Sequence, residues 1–229
     1  MKLKSENPTE NSENSLKETN DLSDNLIDKN SMQETYEQLE TDAKSALVQA
    51  CSGEKIDSQK LAELKSMGLQ LTFAKKLAEK EFYQIPIETD KGITNMNLTI
   101  IRGTETSGKV SVSVASEQLG NIKAEVSLKD QTLKGYFSSD NREGLEKLQQ
   151  CMGEIGNAAQ DNNVTIKQMD FYVQRKDSDT YSYQNTDRET NEASVTNDTE
   201  RILYRIAKAI VQTVRTAENI GSDINRAVS

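Results

Sequence analysis

Residues 116–137 read SEQLGNIKAEVSLKDQTLKGYF. After Leu119-Gly120, the apolar residues Ile122, Ala124, Val126 and Leu128 take every second position, with Lys123, Glu125, Ser127 and Lys129 between them. Successive side chains of a strand point to opposite faces, so this stretch has one apolar and one polar side. A short polar gap comes next, and Leu133, Gly135 and Phe137 resume the alternation. None of these residues reads as a reacting group. The stretch predicts two strands of a one-sided sheet whose apolar face must be covered.

The same alternation extends upstream. Pro86 places a first strand at a sheet edge or a strand start. TDKG (89–92) has turn chemistry. Met96, Leu98 and Ile100 then alternate with Asn97, Thr99 and Ile101, and GTETSGK (103–109) reads as a second turn. Val110, Val112 and Val114 alternate with Ser111 and Ser113. Five strands with short turns between them suit an antiparallel meander.

Downstream, the spacing predicts one helix over 140–160. Ser139 or Asp140 can cap it, and Glu143 stands in capping-box position relative to Asp140. Leu145, Leu148, Met152, Ile155 and Ala159 form its apolar stripe, while Gly144, Gly153 and Gly156 each weaken it by ~1 kcal/mol relative to Ala. Such a helix needs the sheet to hold it. Val164, Ile166, Met169, Phe171 and Val173 predict a last strand, with a phase slip after Ile166 that signals a bulge or a loop-to-strand join.

The fold class read from these patterns is α+β: a small, mostly antiparallel sheet with a helix packed on one face, preceded by short helices and followed by a C-terminal helix. Residues 1–30 are polar and read as a disordered tail. Residues 31–80 read as two or three short helices packing on the domain C-terminal to them, with CSGEKID and Gly68 as breaks. Residues 81–174 form the α+β domain and 175–197 a polar linker. Over 198–220, Ile202, Leu203, Ile206, Ala209, Ile210 and Val214 make the apolar face of a helix, with Arg201, Arg205, Lys208 and Arg215 on its polar side. That helix either docks back on the domain or binds a partner.

Composition narrows the chemistry. The chain of 229 residues has a net charge of -9, which argues against nucleic-acid partners, whose phosphates are bound by Lys and Arg. Histidine is absent, so Ser-His-Asp and Cys-His nucleophiles, histidine metal sites and imidazole shuttles are excluded together. Cys51 and Cys151 have no metal-ligand spacing and read as small apolar residues in a reducing compartment. RGTETSGK (102–109) has a Gly-Lys, but Val110 stands where a phosphate-binding loop needs Ser or Thr, and the stretch reads as a hairpin turn. Acidic residues show no spacing expected of a hydrolase pair. The expectation is a non-enzyme without cofactor or metal. The N-terminal segment has no apolar core of a signal peptide, and no window predicts a membrane span.

Residues 97–174 resemble the C-terminal domain of the flagellar hook-length control protein family. The residues that carry this are Leu119-Gly120, the strand Ile122, Ala124, Val126 and Leu128, the strand Leu133 to Phe137, the helix leucines Leu145 and Leu148, and the closing strand from Val164 to Val173. Ser116 departs from the pattern, since the family usually has proline there. The resemblance implies a non-enzymatic regulator of hook assembly or of export substrate switching. Its implied partner is the cytoplasmic domain of the flagellar export gate. The implied location is the cytoplasm, with passage through the export apparatus as an alternative. Leu119, Gly120 and Ile122 are the motif candidates for structure or partner contact, Leu119 and Gly120 being structural first. The segment before Leu119 would reach at most ~400 Å fully extended, which suggests a short relative without a measuring segment. The alternative class is a cytoplasmic adaptor or scaffold of the same fold, contacting a partner through the 198–216 helix.

Overall fold

Alternation along residues 82–173 produces a six-stranded sheet in a computed structural model that describes residues 22–51, 58–89, 92–174 and 196–227, with side chains as far as Ile220. The strands are β1 (Phe82–Thr89), β2 (Gly92–Arg102), β3 (Ser107–Ser116), β4 (Gly120–Lys129), β5 (Thr132–Ser139) and β6 (Thr165–Val173). They lie in sequence order. β1 to β5 form an antiparallel meander, and β6 returns parallel to β5 through a helical crossover. Pro86 sits in edge strand β1, where a missing N–H is tolerated. The phase slip after Ile166 is a register shift: Leu133 faces Ile166 but Lys134 faces Gln168, leaving Lys167 as the extra residue. The turn residues Asp90 and Lys91 lie outside the described residues.

The register lines up the apolar positions into rows. Tyr83, Leu98, Val112, Ala124, Phe137 and Phe171 are successive partners across all six strands. The first five are buried, and the Phe137 and Phe171 rings stack at 5.7 Å. Burying a side chain of this size stabilises the fold by roughly 1.5–3 kcal/mol.

Three helices, α3 (Arg142–Gln150), α4 (Gly153–Asp161) and α5 (Asn197–Ala227), cover this face. The single helix expected over 140–160 is two helices, broken by a turn at Cys151 and Met152. Cys151 closes α3 with N–H bonds to the carbonyls of Leu148 and Lys147, and Gly153 begins a new helix. The N-cap is Asn141, not Ser139 or Asp140. Its side chain accepts hydrogen bonds from the N–H groups of Glu143 and Gly144. α5 docks back on the domain and contacts β1, β2 and β3. It buries Leu203, Tyr204, Ile206, Ala207, Ile210, Val211 and Val214, so it contributes much of the cover that the apolar stripe of 140–160 was expected to give.

Residues 22–30 do not belong to the disordered tail expected over 1–30. Leu22 and Leu26, one helical turn apart, are buried. Lys208 Nζ donates to the carbonyl of Asp24, and Arg215 Nη1 donates to Ser23 Oγ. Two leucines in one turn are too few to show a period. Residues 1–21 lie outside the described residues, as do 175–195 of the expected linker.

The region 31–80 is two long helices rather than two or three short ones. α1 (Lys29–Cys51) and α2 (Ser58–Ala78) have 23 and 21 residues, and Gly68 lies inside α2. They run antiparallel: Lys75 Nζ lies 3.2 Å from Glu37 and 3.4 Å from Glu40. Only the ends near the sheet are buried, at Met32, Tyr36, Ala74 and Ala78. Tyr36 fixes the base by donating to the Gln84 carbonyl at 3.1 Å and accepting from the Gln84 N–H at 3.2 Å, which occupies the open edge of β1.

Candidate protein-contact surfaces

Leu119 and Gly120 form a corner that binds the β3–β4 turn to the start of α3. Ser116 Oγ accepts the N–H groups of Gln118 at 3.1 Å and Leu119 at 2.9 Å. Proline has no hydroxyl to do this, so the departure at Ser116 has a local use. Ser139 Oγ donates to the Leu119 carbonyl at 2.5 Å. Asn141 Nδ2 donates to the Gln118 carbonyl at 2.8 Å. Asp140 accepts from the N–H of Asn121 at 2.7 Å and from its Nδ2 at 2.8 Å. Gly120 has φ +77°, a left-handed conformation that glycine adopts without a Cβ penalty.

This corner corrects the contact reading of the three motif candidates. Leu119 is fully buried and Ile122 is 2% exposed. Their side chains belong to the sheet–helix core and offer no surface to a partner. Gly120 shapes the chain path between them.

A second cluster was missed in the sequence. Glu81, in the turn between α2 and β1, has φ +59° and is buried. Arg102, at the end of β2, reaches its two carboxylate oxygens through Nε at 2.8 Å and Nη2 at 2.9 Å. The same guanidinium contacts Glu200 of α5 through Nη2 at 2.7 Å and Nη1 at 3.1 Å. Tyr204 donates to Glu81 at 3.0 Å, and its hydroxyl lies 2.6 Å from that of Tyr83. Desolvation opposes the Arg102 charge, but the two carboxylates outweigh it and hold the guanidinium well above its ordinary pKa. Burial raises the Tyr83 and Tyr204 phenols, and it pushes Tyr36 up to about 12. The carboxylates, guanidinium and phenols use one another as partners, and the arrangement fastens α5 to the sheet and to the base of α2. The one local hint was Glu200 and Tyr204, four residues apart on the sheet-facing side of an amphipathic helix.

Among the described residues, exposed aromatic and apolar side chains gather on two surfaces. The outer face of β4, β5 and β6 has a shallow hollow of about 240 Å³ lined by Glu125, Lys134, Tyr136, Asp170 and Tyr172, with the two tyrosine rings 6.0 Å apart. The α1–α2 hairpin exposes Val48, Met67, Leu69 and Phe73. Among the described residues, no helix is long and apolar enough to cross a membrane.

The class defined by this architecture is an α+β sheet-and-helix protein with a projecting helical hairpin. No protein-family model, no curated protein and no solved structure matches the chain.

Proposed function

We propose that the chain is a non-enzymatic regulator of the flagellar hook-length control type, acting without a cofactor through contact with the cytoplasmic domain of the flagellar export gate. The observation that supports this reading is the order of elements after Leu119-Gly120. Strands β4 and β5, a helical segment and closing strand β6 come in the order that the resemblance implies, with two helices, α3 and α4, where it implies one. The Leu-Gly corner then holds the unit together, and contact falls to the exposed faces around it. The proposed location is the cytoplasm, with export through the flagellar apparatus as its variant. The test pairs two measurements: calorimetry of the full chain against the gate cytoplasmic domain, and hook lengths after deletion of the gene. Binding together with abnormal hooks supports the reading. Normal hooks with no heat of binding removes it.

The runner-up is a cytoplasmic adaptor with no flagellar role. The projecting hairpin favours it, because α1 and α2 lie outside the residues that carry the resemblance. The 198–216 helix expected to make such a contact is packed into the domain and offers no free apolar face. Intact motility after deletion would select the adaptor.

A further inference from the structure

Helix α2 has apolar residues on two opposite sides. One side, with Leu64, Leu71, Ala74 and Ala78, is buried or half-buried. The other carries Ala62, Leu69 and Phe73 into solvent, with Leu69 74% and Phe73 61% exposed. Leu69 and Phe73 are four residues apart and so stand one turn above the other on the same face. A helix that is apolar on both sides is ordinarily covered on both.

The charges around this face say what covers it. Lys65 and Lys76 stand at its two ends, both exposed. Neither forms an ion pair with a described residue, whereas Lys75, on the inner side, is paired with Glu37 and Glu40. A chain with net charge -9 thus presents an apolar pair between two cations that no described residue pairs with.

A second copy fits this face poorly. Antiparallel pairing of α2 with its twin around Leu69 and Phe73 would bring Lys65 within a turn of the other Lys76, and like charges that close are destabilising. The outward face of α1 provides only Val48 as a large apolar residue among Glu34, Gln38, Thr41 and Ser45. We infer that Leu69 and Phe73 are the anchors of a docking face for an amphipathic helix of a partner protein, one with apolar residues at three- and four-residue spacing and acidic residues at both ends. The inference rests on the reading of this chain as a protein-contact module and names the contact surface and the chemistry of its partner.

The experiment places the photo-crosslinker p-benzoylphenylalanine at position 73 of the full chain in its source cell and identifies the captured peptide by mass spectrometry. The expected capture is one segment of one protein with acidic flanks and helical apolar spacing. A synthetic peptide of that segment then binds the full chain. Binding weakens roughly tenfold or more with Leu69→Ser/Phe73→Ser. It weakens also with Lys65→Glu/Lys76→Glu and is regained when the acidic residues of the peptide are changed to lysine. Both double variants are at the surface, and an unchanged melting temperature shows that the fold is kept. Capture of a second copy, of a basic or non-helical segment, of scattered peptides or of nothing overturns the inference. Capture of a fitting helix from a protein other than the export gate keeps the docking face and counts against the hook-length reading. Gate binding that survives both double variants keeps that reading and removes the docking face.

Discussion

The phenolic oxygens of Tyr83 on β1 and Tyr204 on α5 lie 2.6 Å apart, and Glu81 sets the order of their protons. Tyr204 gives its proton to the Glu81 carboxylate, so Tyr83 is the donor to Tyr204. The two tyrosines are therefore not equivalent. Tyr204→Phe removes a donor from a buried carboxylate and an acceptor from Tyr83, and is expected to cost about 1–3 kcal/mol. Tyr83→Phe removes one neutral bond and is expected to cost about 0.5–1.5 kcal/mol. Urea unfolding of the two variants gives the comparison, and equal losses would refute the proton order.

Arg102 is the sole cation among the contacts described for Glu81. Arg102→Met leaves that buried carboxylate without a counter-charge, and the expected loss is about 3–5 kcal/mol. Arg102→Lys restores the charge but not the two-pronged geometry, and it should recover only part of the loss. A chemical-denaturation midpoint for Arg102→Lys equal to that of the native chain would show that geometry is irrelevant here.

Alkaline pH should loosen the fold by ionising its buried tyrosines. Burial raises the Tyr36 phenol from its ordinary value of 10.0 to about 12, and Tyr83 and Tyr204 are raised in the same direction. A raised pKa gives stability that is complete below pH 10 and is lost as the pH rises through the folded value. For Tyr36 this amounts to about 2–3 kcal/mol, at about 1.4 kcal/mol per unit. Stability should therefore fall steadily between about pH 10 and 12, and Tyr36→Phe should flatten that fall. Absorbance near 295 nm (from ionised tyrosine), measured alongside circular dichroism, reports both events.

Glycine positions should divide sharply. A Cβ on Gly144 would lie 2.6 Å from the carbonyl carbon of Leu119, and one on Gly120 would lie 2.8 Å from Asn141 Cβ on a backbone with φ +77°. Gly144→Ala and Gly120→Ala are each expected to cost ~2 kcal/mol or more. Nothing lies within 4 Å of a Cβ on Gly156 inside α4, where Gly156→Ala should stabilise by roughly 0.5–1 kcal/mol. Thermal unfolding of the three variants tests the opposite signs.

Leu26 is expected to matter although it precedes the recognisable domain. It is fully buried in the core. Leu26→Ala should cost about 2–5 kcal/mol, a typical value for a buried leucine. An unchanged melting temperature would mean that residues 22–28 contribute no packing.

The strands were legible because their signal is local: alternate positions from Met96 to Phe137 differ in polarity, and the sheet buries one side. The bulge at Lys167 was legible for the same reason, as a break in phase. The helix cap was ambiguous because Ser139, Asp140 and Asn141 are all cap-forming residues in a row, and only geometry assigns Ser139 to Leu119, Asp140 to Asn121 and Asn141 to α3. Gly68 looked like a break, but a penalty of ~1 kcal/mol is absorbed by a helix paired along its length with another. The Glu81–Arg102–Glu200 cluster left nothing to read beyond the Glu200–Tyr204 spacing, since its charged members are 21 and 98 positions apart in sequence.

The contact between Tyr83 and Tyr204 spans 121 positions, and it joins β1 to α5. During synthesis the underside of β1 to β3 therefore stays wet until α5, 121 positions further on, has left the ribosome. Until α5 arrives, a nascent chain presents an adhesive apolar surface that chaperones would meet first.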